Sequence, residues 1–344
     1  MKYKIYTTSE KAWDGMIEAI RGAQKSIFLE MYIFLDDTKV THDFFGAIKE
    51  RLGAGVKVVI IADAYGSLDL KKEAVTELRT AGAEFMFFSH LLRRTHRKIL
   101  IVDEKIAFLG GVNINQKIIA WNDLQIRLQG RIVKPLLKTF SYGYKMCGGH
   151  DQEILKYQKN SLIKKIKSWV VDDWPNKDTA YLKDYYRQKI IEAKEVVTIV
   201  TPYLIPPRWL MALLDNAVQR GVRVEFVIPK FTDIIFIDRV NYYYAAKLSE
   251  LGVIFYFLPE MNHAKIFMVD NQEAMVGSSN FDVLSIGLNV ESGVFFTQKA
   301  IINDLLKIIN RWKSSAIHFD LKKRPLNFVD FLAKVTLKLF YPFL

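Results

Sequence analysis

The chain repeats itself, and a repeat settles architecture before any single residue does. The segment THRKILIVDEKIAFLGGVNI at residues 95–114 recurs as NHAKIFMVDNQEAMVGSSNF at 262–281. His96 matches His263, and the same offset carries Lys98 onto Lys265, Asp103 onto Asp270, Gly110 onto Gly277 and Asn113 onto Asn280. Upstream, ERLGAGVKVVIIAD (50–63) corresponds to AVQRGVRVEFVIP (217–229), and KSIFLEMYIF (25–34) to EVVTIVTPYLIP (195–206).

Each half therefore reads in one order: an apolar strand, an amphipathic helix, a Gly-Val turn, a second strand, another helix, a third strand and the motif strand. Strands alternating with helices give an α/β class. KILIVD and KIFMVD are short apolar runs of the buried-strand kind, and each motif His and Lys stands at the entry of one. A spacing of two puts both side chains on one face of the strand. The expectation is two similar α/β/α lobes related by a pseudo-twofold axis, with one active site at their interface. The first lobe is placed at 1–150, a partly helical linker with polar insertions at 151–180, the second lobe at 181–320 and an amphipathic tail at 321–344.

Half of the 344 residues are apolar, enough for a large core, and the single cysteine, Cys147, excludes an internal disulfide framework and a cysteine-based metal site. A net charge of +12 suits polyanionic partners, nucleic acid or anionic lipid. A spanning helix needs about 20 mostly apolar residues. The run at 196–207 is shorter and broken by prolines, so no bilayer crossing is expected, nor a signal peptide at the start.

The motif residue types define a chemistry. Histidine is a nucleophile or general acid near neutral pH. Lysine places positive charge against a phosphoryl oxygen. Asn113 and Asn280 follow their histidines at one common spacing, and each can donate an amide hydrogen bond to another oxygen. Two such sets would enclose one phosphate with His96, His263, Lys98, Lys265, Asn113 and Asn280. A catalytic imidazole also needs a carboxylate on its second nitrogen. Asp123 follows His96 at almost the same remove as Glu291 follows His263, which makes them the candidates. Asp103 and Asp270 stand at the far ends of their strands, roughly 17–23 Å from the motif imidazoles, and are assigned structural roles in turns or at the interface. A lone HxK means little, and a histidine on an apolar strand is usually a packed residue. Two full motifs in register are different. Lysine is a poor ligand, so no metal is expected.

This pattern resembles the phospholipase D superfamily, whose signature is HxKx4D followed by a GG/GS-x-Asn element, and the likeness covers nearly the whole chain. Within it the chain is most similar to bacterial cardiolipin synthases, on RRTHRKILIVD with FLGGVNI and WND, TPYLIPP, QRGVRV, and HAKIFMVD with GSSNFD and LNVE. The resemblance implies two lobes meeting at one site, no cofactor and a ping-pong reaction through phosphohistidine. It implies His96 as nucleophile and His263 as acid and base, though the two halves are too alike to fix that order. Lys98, Lys265, Asn113 and Asn280 would hold phosphate, Ser278 would add a hydroxyl, and Asp123 and Glu291 would orient the histidines.

The implied function is a phosphatidyltransferase that joins two phosphatidylglycerol molecules; the alternative is a phospholipase D that admits water. A metal-independent nuclease is the weaker alternative, because only Arg93, Arg94 and Arg97 form a basic run near a motif, and these equally suit a lipid phosphate. A non-catalytic lipid-binding scaffold is disfavoured by the intact double motif. The expected partners are anionic phospholipid and a membrane surface, with the protein peripheral on the cytoplasmic side. Phe328, Phe331, Leu332, Val335 and Leu339 line one side of a C-terminal helix behind the basic tripeptide at 322–324. Two readings stay open for it, a surface anchor or a helix packed on its own lobe. Tyr203 and Trp121 are candidates for the site mouth, and Tyr242, Tyr243 and Tyr244 for packing.

Overall fold

The structure, a computed structural model, describes residues 1–91, 93–159, 168–173, 181–318 and 325–340. The repeat in the sequence is a repeat in the fold. The first sheet has seven strands in the order Lys2–Thr8, Asn122–Gln129, Ile106–Gly110, Lys98–Val102, Ser26–Met31, Lys57–Asp63 and Glu84–Phe88. The second follows the same plan from its outer strand: Ser168–Asp173, Glu291–Phe296, Glu273–Gly277, Ile266–Val269, Val196–Val200, Arg223–Pro229 and Ile254–Leu258, with Ile317–His318 added at the far edge. In each sheet three strands run parallel and the motif strand lies antiparallel beside them, so the chain enters the motif at the carboxyl ends of the parallel strands.

Three large apolar clusters among the described residues hold these layers, beside a small fourth under the C-terminal helix. Helices Ser9–Arg21 and Phe44–Gly53 cover the outer face of the first sheet, and Tyr181–Glu192, Arg208–Gln219 and Ile235–Glu250 cover that of the second. The largest cluster takes in residues of both sheets together with helices Val133–Met146 and Lys299–Ser315, so the two lobes share one continuous core.

Local chemistry explains the matching turns. Gly55 and Gly221 end equivalent helices at φ +80° and +85°, where a side chain would be strained. Asp103 with Glu104, and Asp270 with Asn271, occupy the two left-handed positions of tight hairpin turns after the motif strands. The Asp103 carboxylate accepts from the backbone N–H groups of Gln24, Lys25 and Ser26 at 2.7–3.1 Å, and Asp270 accepts from Lys194, Glu195 and Val196 at 2.8–3.2 Å. The motif aspartates thus tie each hairpin to the start of the neighbouring strand, at the opposite end of the sheet from the histidines.

The expected boundary at 181 is displaced. Ser168–Asp173, placed in the linker by sequence, pairs antiparallel with Glu291–Phe296 and is the counterpart of Lys2–Thr8. An edge strand needs only one hydrogen-bonded neighbour, and this one's partner comes much later in the chain, so SWVVDD carries little local pattern. The helical content expected there is a short helix, Gln152–Leu155, and one tight turn, Lys156–Lys159. The rest of the linker, the basic tripeptide 322–324 and the terminal 341–344 lie outside the described residues.

Helix Phe328–Phe340 packs against Ile235–Glu250, with Ala333 buried against Ile237 and Val240 and Asp330 paired to Arg239 at 3.4 Å. Phe328, Val329, Phe331 and Leu332 stay exposed, so one face of this helix is packed on its own lobe and another is bare. Tyr242 stacks on Phe257, and Tyr243 meets Tyr244 edge-on, as packing requires. Among the described residues no helix is long and apolar enough to cross a membrane.

Candidate active site

Two short backbone exchanges stitch the lobes together at the motifs. His96 N–H donates to Val290 C=O at 3.0 Å, and Val290 N–H returns a bond to Arg94 C=O at 2.8 Å. Reciprocally, His263 N–H donates to Asn122 C=O at 2.7 Å, and Asn122 N–H to Met261 C=O at 3.2 Å. Each motif histidine is therefore pinned to the segment of the opposite lobe that carries a candidate carboxylate at the very next position.

The side chains follow. His96 Nδ1 lies 3.0 Å from Glu291 Oε1, and His263 Nδ1 lies 2.9 Å from Asp123 Oδ2. Spacing along the chain identified both carboxylates but could not say which histidine each serves. The structure exchanges them between lobes. All four side chains are buried. With a carboxylate on Nδ1, each neutral ring carries its proton there and presents the Nε2 lone pair.

The two centres differ in detail. Glu291 also receives the Ser278 hydroxyl, which itself accepts from Ser292 N–H at 3.1 Å. Ser278, expected on a phosphate, thus has its hydroxyl on the carboxylate. At the equivalent place, Gly111 lies so close that a Cβ there would sit 2.2 Å from Asp123 Oδ1 and 2.9 Å from His263 C=O. The shorter carboxylate takes the glycine and the longer one the serine. Both lysines donate to the carbonyl of their own histidine at 2.6 Å, but Lys265 Nζ also lies 2.7 Å from His263 Nε2.

Burial dominates the electrostatics. It pushes His96 down to about 4, with Lys98 adding to the effect and Glu291 opposing it. His263 is lowered by burial and Lys265 against the pull of Asp123. Burial and the proximity of Lys265 depress Lys98 well below its ordinary value, and burial brings Lys265 to about 8. Burial works to raise the Glu291 carboxyl, yet His96, Lys98 and Ser278 hold it below the usual range. Two lysines and two imidazoles are enclosed together with the Asp123 and Glu291 carboxylates, and burial lowers all four basic groups, an arrangement in which a bound anion would favour their protonated forms.

Asn113 Oδ1 accepts from Ile33 N–H at 3.2 Å, reserving its NH2 group for another acceptor. Asn280 is buried and bonded to Asp282, and its Oδ1 is without a partner among the described residues. Trp121 and Tyr203, the candidates for the mouth, both meet the His263 ring, at 5.6 and 6.2 Å between centroids. Tyr203 OH donates to Asp233 at 2.7 Å.

Arg97 is a correction. It does not reach toward a lipid phosphate; it is fully buried, donating to Glu30 Oε1 through Nε at 3.0 Å and Nη2 at 2.7 Å. Its position between His96 and Lys98 turns it to the other face of the chain, into the core. Thr95 Oγ1 also donates to Glu30, at 2.5 Å, and Gly143 leaves room for the pair. The second lobe has Val200 and Ala264 in these places.

Three neighbours were missed in the sequence. The Tyr32 ring packs edge-on to His96 at 4.8 Å, with Lys98 Nζ 5.0 Å from its centroid. Asp63 accepts from Thr95 N–H at 2.7 Å, fixing the approach to His96. Glu30 is the third, and its signal was present: a lone charge inside the apolar run IFLEMYIF must find a buried partner.

Comparison with known proteins gives the family and the fold. The family model described as cardiolipin synthase, PLD-like domain, matches twice, at residues 16–142 and 186–313. The minor cardiolipin synthase ClsB of Bacillus subtilis is 27% identical over 94% of this chain and 82% of its own length. Cardiolipin synthase B of Escherichia coli is 30% identical over 85% of this chain and 76% of its own. Among solved structures, phosphatidylserine synthase of Haemophilus influenzae superposes with a TM-score of 0.76 at 14% identity, covering 99% of this chain and 94% of that one, a likeness of fold.

Proposed function

The chain belongs to the cardiolipin synthase, PLD-like domain family, a family of phosphatidyltransfer enzymes, and we propose that it joins two phosphatidylglycerol molecules into cardiolipin through a phosphohistidine intermediate. The observation that carries this reading is the pair of buried histidines, each oriented by a carboxylate of the opposite lobe.

In the first step His96 Nε2 attacks phosphorus, the N–P bond forms, and the P–O bond to glycerol breaks as His263, made imidazolium by a proton taken up when the anionic lipid binds, gives that oxygen the proton on its Nε2. In the second step His263 takes the proton from the hydroxyl of another phosphatidylglycerol, whose oxygen attacks phosphorus and releases His96. Glycerol leaves, and atoms and charge balance over the cycle. Lys98, Lys265, Asn113 and Asn280 bind the non-bridging oxygens, which gain charge as the transition state forms. Asp123 and Glu291 hold ring orientation and tautomer, as such carboxylates do elsewhere. Lys265, 2.7 Å from His263 Nε2, engages the lone pair that an attack on phosphorus would need, which supports His96 as the attacking histidine. Tyr32, Trp121 and Tyr203 crowd the two rings and restrict water, so that an alcohol resolves the intermediate. The protein works peripherally, on the cytoplasmic face of an anionic membrane.

The test is to supply labelled phosphatidylglycerol in mixed vesicles and separate the products. Cardiolipin and free glycerol are expected. Phosphatidic acid alone would replace the synthase reading with a hydrolase.

A further inference from the structure

Large apolar side chains stand bare at one end of the molecule, and it is the end that holds the histidines. Loops 64–71 and 89–95 leave the carboxyl ends of strands Lys57–Asp63 and Glu84–Phe88, and loop 230–234 leaves that of Arg223–Pro229. Leu68 is 70% exposed, Leu91 87% and Ile235 82%; Phe231 is exposed as well. Each belongs to a segment tied to the site. Leu91 lies shortly before His96 in the same loop. Asp63, which opens the Leu68 loop, holds Thr95 N–H, and Asp233, beside Ile235, holds the Tyr203 hydroxyl that stands against His263. The C-terminal helix extends this rim, with Phe328 75% exposed, because its packed face joins Ile237 and Val240 in a cluster that reaches Tyr203.

Cations accompany these side chains in both lobes. Arg94 lies 4.1 Å from the Tyr65 ring centre, and in the equivalent loop of the other lobe Lys230 lies 5.2 Å from that of Phe231. Asp63 is turned inward on Thr95 N–H, and Asp233, though exposed, is engaged by the Tyr203 hydroxyl; Asp69 and Glu260 are exposed acids at the same end. An apolar tip beside a cation suits the depth at which acyl chains give way to phosphates, and a protein of net charge +12 is attracted to an anionic bilayer.

We propose that these loops from both lobes, together with the exposed face of the C-terminal helix, form a single docking face that seats the mouth of the active site directly on an anionic lipid bilayer. The inference rests on the phosphatidyltransferase reading for its choice of lipid, and it assigns the membrane contact to a ring around the site and not to the C-terminal helix alone. A lipid phosphate then reaches the buried histidines with its acyl chains still in the bilayer.

The experiment compares the wild type, the double variant Leu91→Ser/Ile235→Ser, and Ile191→Ser. Ile191 is exposed on the helix that enters the opposite end of the second sheet. Flotation with phosphatidylglycerol/phosphatidylcholine vesicles measures binding, and monomeric short-chain phosphatidylglycerol measures turnover away from any surface. The double variant should bind vesicles at least about tenfold more weakly, since each inserted side chain buries substantial apolar area. Its turnover of the monomeric lipid should stay within about twofold, which also shows that it folds. Vesicle binding that is unchanged in the double variant, or lowered equally by Ile191→Ser, overturns the proposal. Site-dependent vesicle binding by a wild type that yields only phosphatidic acid keeps the docking face and removes the synthase reading.

Discussion

His96 Nδ1 and Glu291 Oε1 are 3.0 Å apart although 195 residues separate them in the chain. His263 and Asp123 repeat the relation in reverse at 2.9 Å. Neither lobe owns a complete histidine–carboxylate pair, so both pairs form only where the lobes dock. Glu291→Gln and Asp123→Asn keep side-chain shape while offering the wrong hydrogen-bond partner at Nδ1. Each is expected to lower kcat by about 10²–10⁴-fold with the fold intact, judged from comparable carboxylate-to-amide exchanges. Steady-state turnover alongside circular dichroism checks this, and full activity in either variant would remove the carboxylates from the mechanism.

The unlike supports of the two carboxylates give a second prediction. Ser278→Ala deprives buried Glu291 of a donor and should cost about 1–3 kcal/mol of stability with reduced turnover. Gly111→Ala should be worse, because its Cβ would stand 2.2 Å from Asp123 Oδ1 and force the carboxylate off His263. Chemical denaturation and kcat rank the two; equal effects would show that the close approach at Gly111 is unimportant.

Glu30 and Arg97 form a buried ion pair beside the motif. Removing one partner, as Arg97→Met or Glu30→Gln, should destabilise the protein by about 3–5 kcal/mol by stranding the other. The double replacement Glu30→Leu/Arg97→Met should cost less than Arg97→Met alone, since the other lobe folds with Val200 and Ala264 there. Urea unfolding midpoints decide, and strict additivity would refute the coupling.

The lowered imidazoles predict a proton inventory. Burial holds His96 near 4 and lowers His263, so both rings are neutral in the free enzyme near neutral pH. A bound phosphate monoanion or dianion raises the pKa of neighbouring cationic acids, which moves them toward protonation. Lys265, near 8, shifts the same way. Phosphate binding should therefore take up protons, above about pH 4 through His96 and above about pH 8 through Lys265, read by calorimetry in buffers of different ionisation enthalpy. Proton release on binding would contradict the described electrostatics.

Much of this was legible in the sequence because it repeats. The offset between His96 and His263 located both motifs, and the matched positions of Asp123 and Glu291 found the orienting carboxylates. What spacing cannot carry is partnership across an interface: Asp123, close behind His96 in the chain, looks local to it, and only the docked lobes send it to His263. Asp103 and Asp270 were legible as remote because rise per residue along a strand is a fixed quantity. Arg97 was misread because alternation along the chain was applied to His96 and Lys98 and not to the residue between them. The strand Ser168–Asp173 was missed because its identity lies in its pairing with Glu291–Phe296 and not in its own pattern.

The central claim is that one phosphorus atom is passed to His96 and away again under the control of His263. Rapid quenching of the enzyme during turnover of short-chain phosphatidylglycerol, followed by peptide mapping under conditions that preserve phosphoramidates, measures this directly. The account predicts a phosphatidyl group on His96, absent from the His96→Ala variant. A group carried by His263 instead would reverse the assigned order, and undiminished cardiolipin formation by His96→Ala would contradict the account altogether.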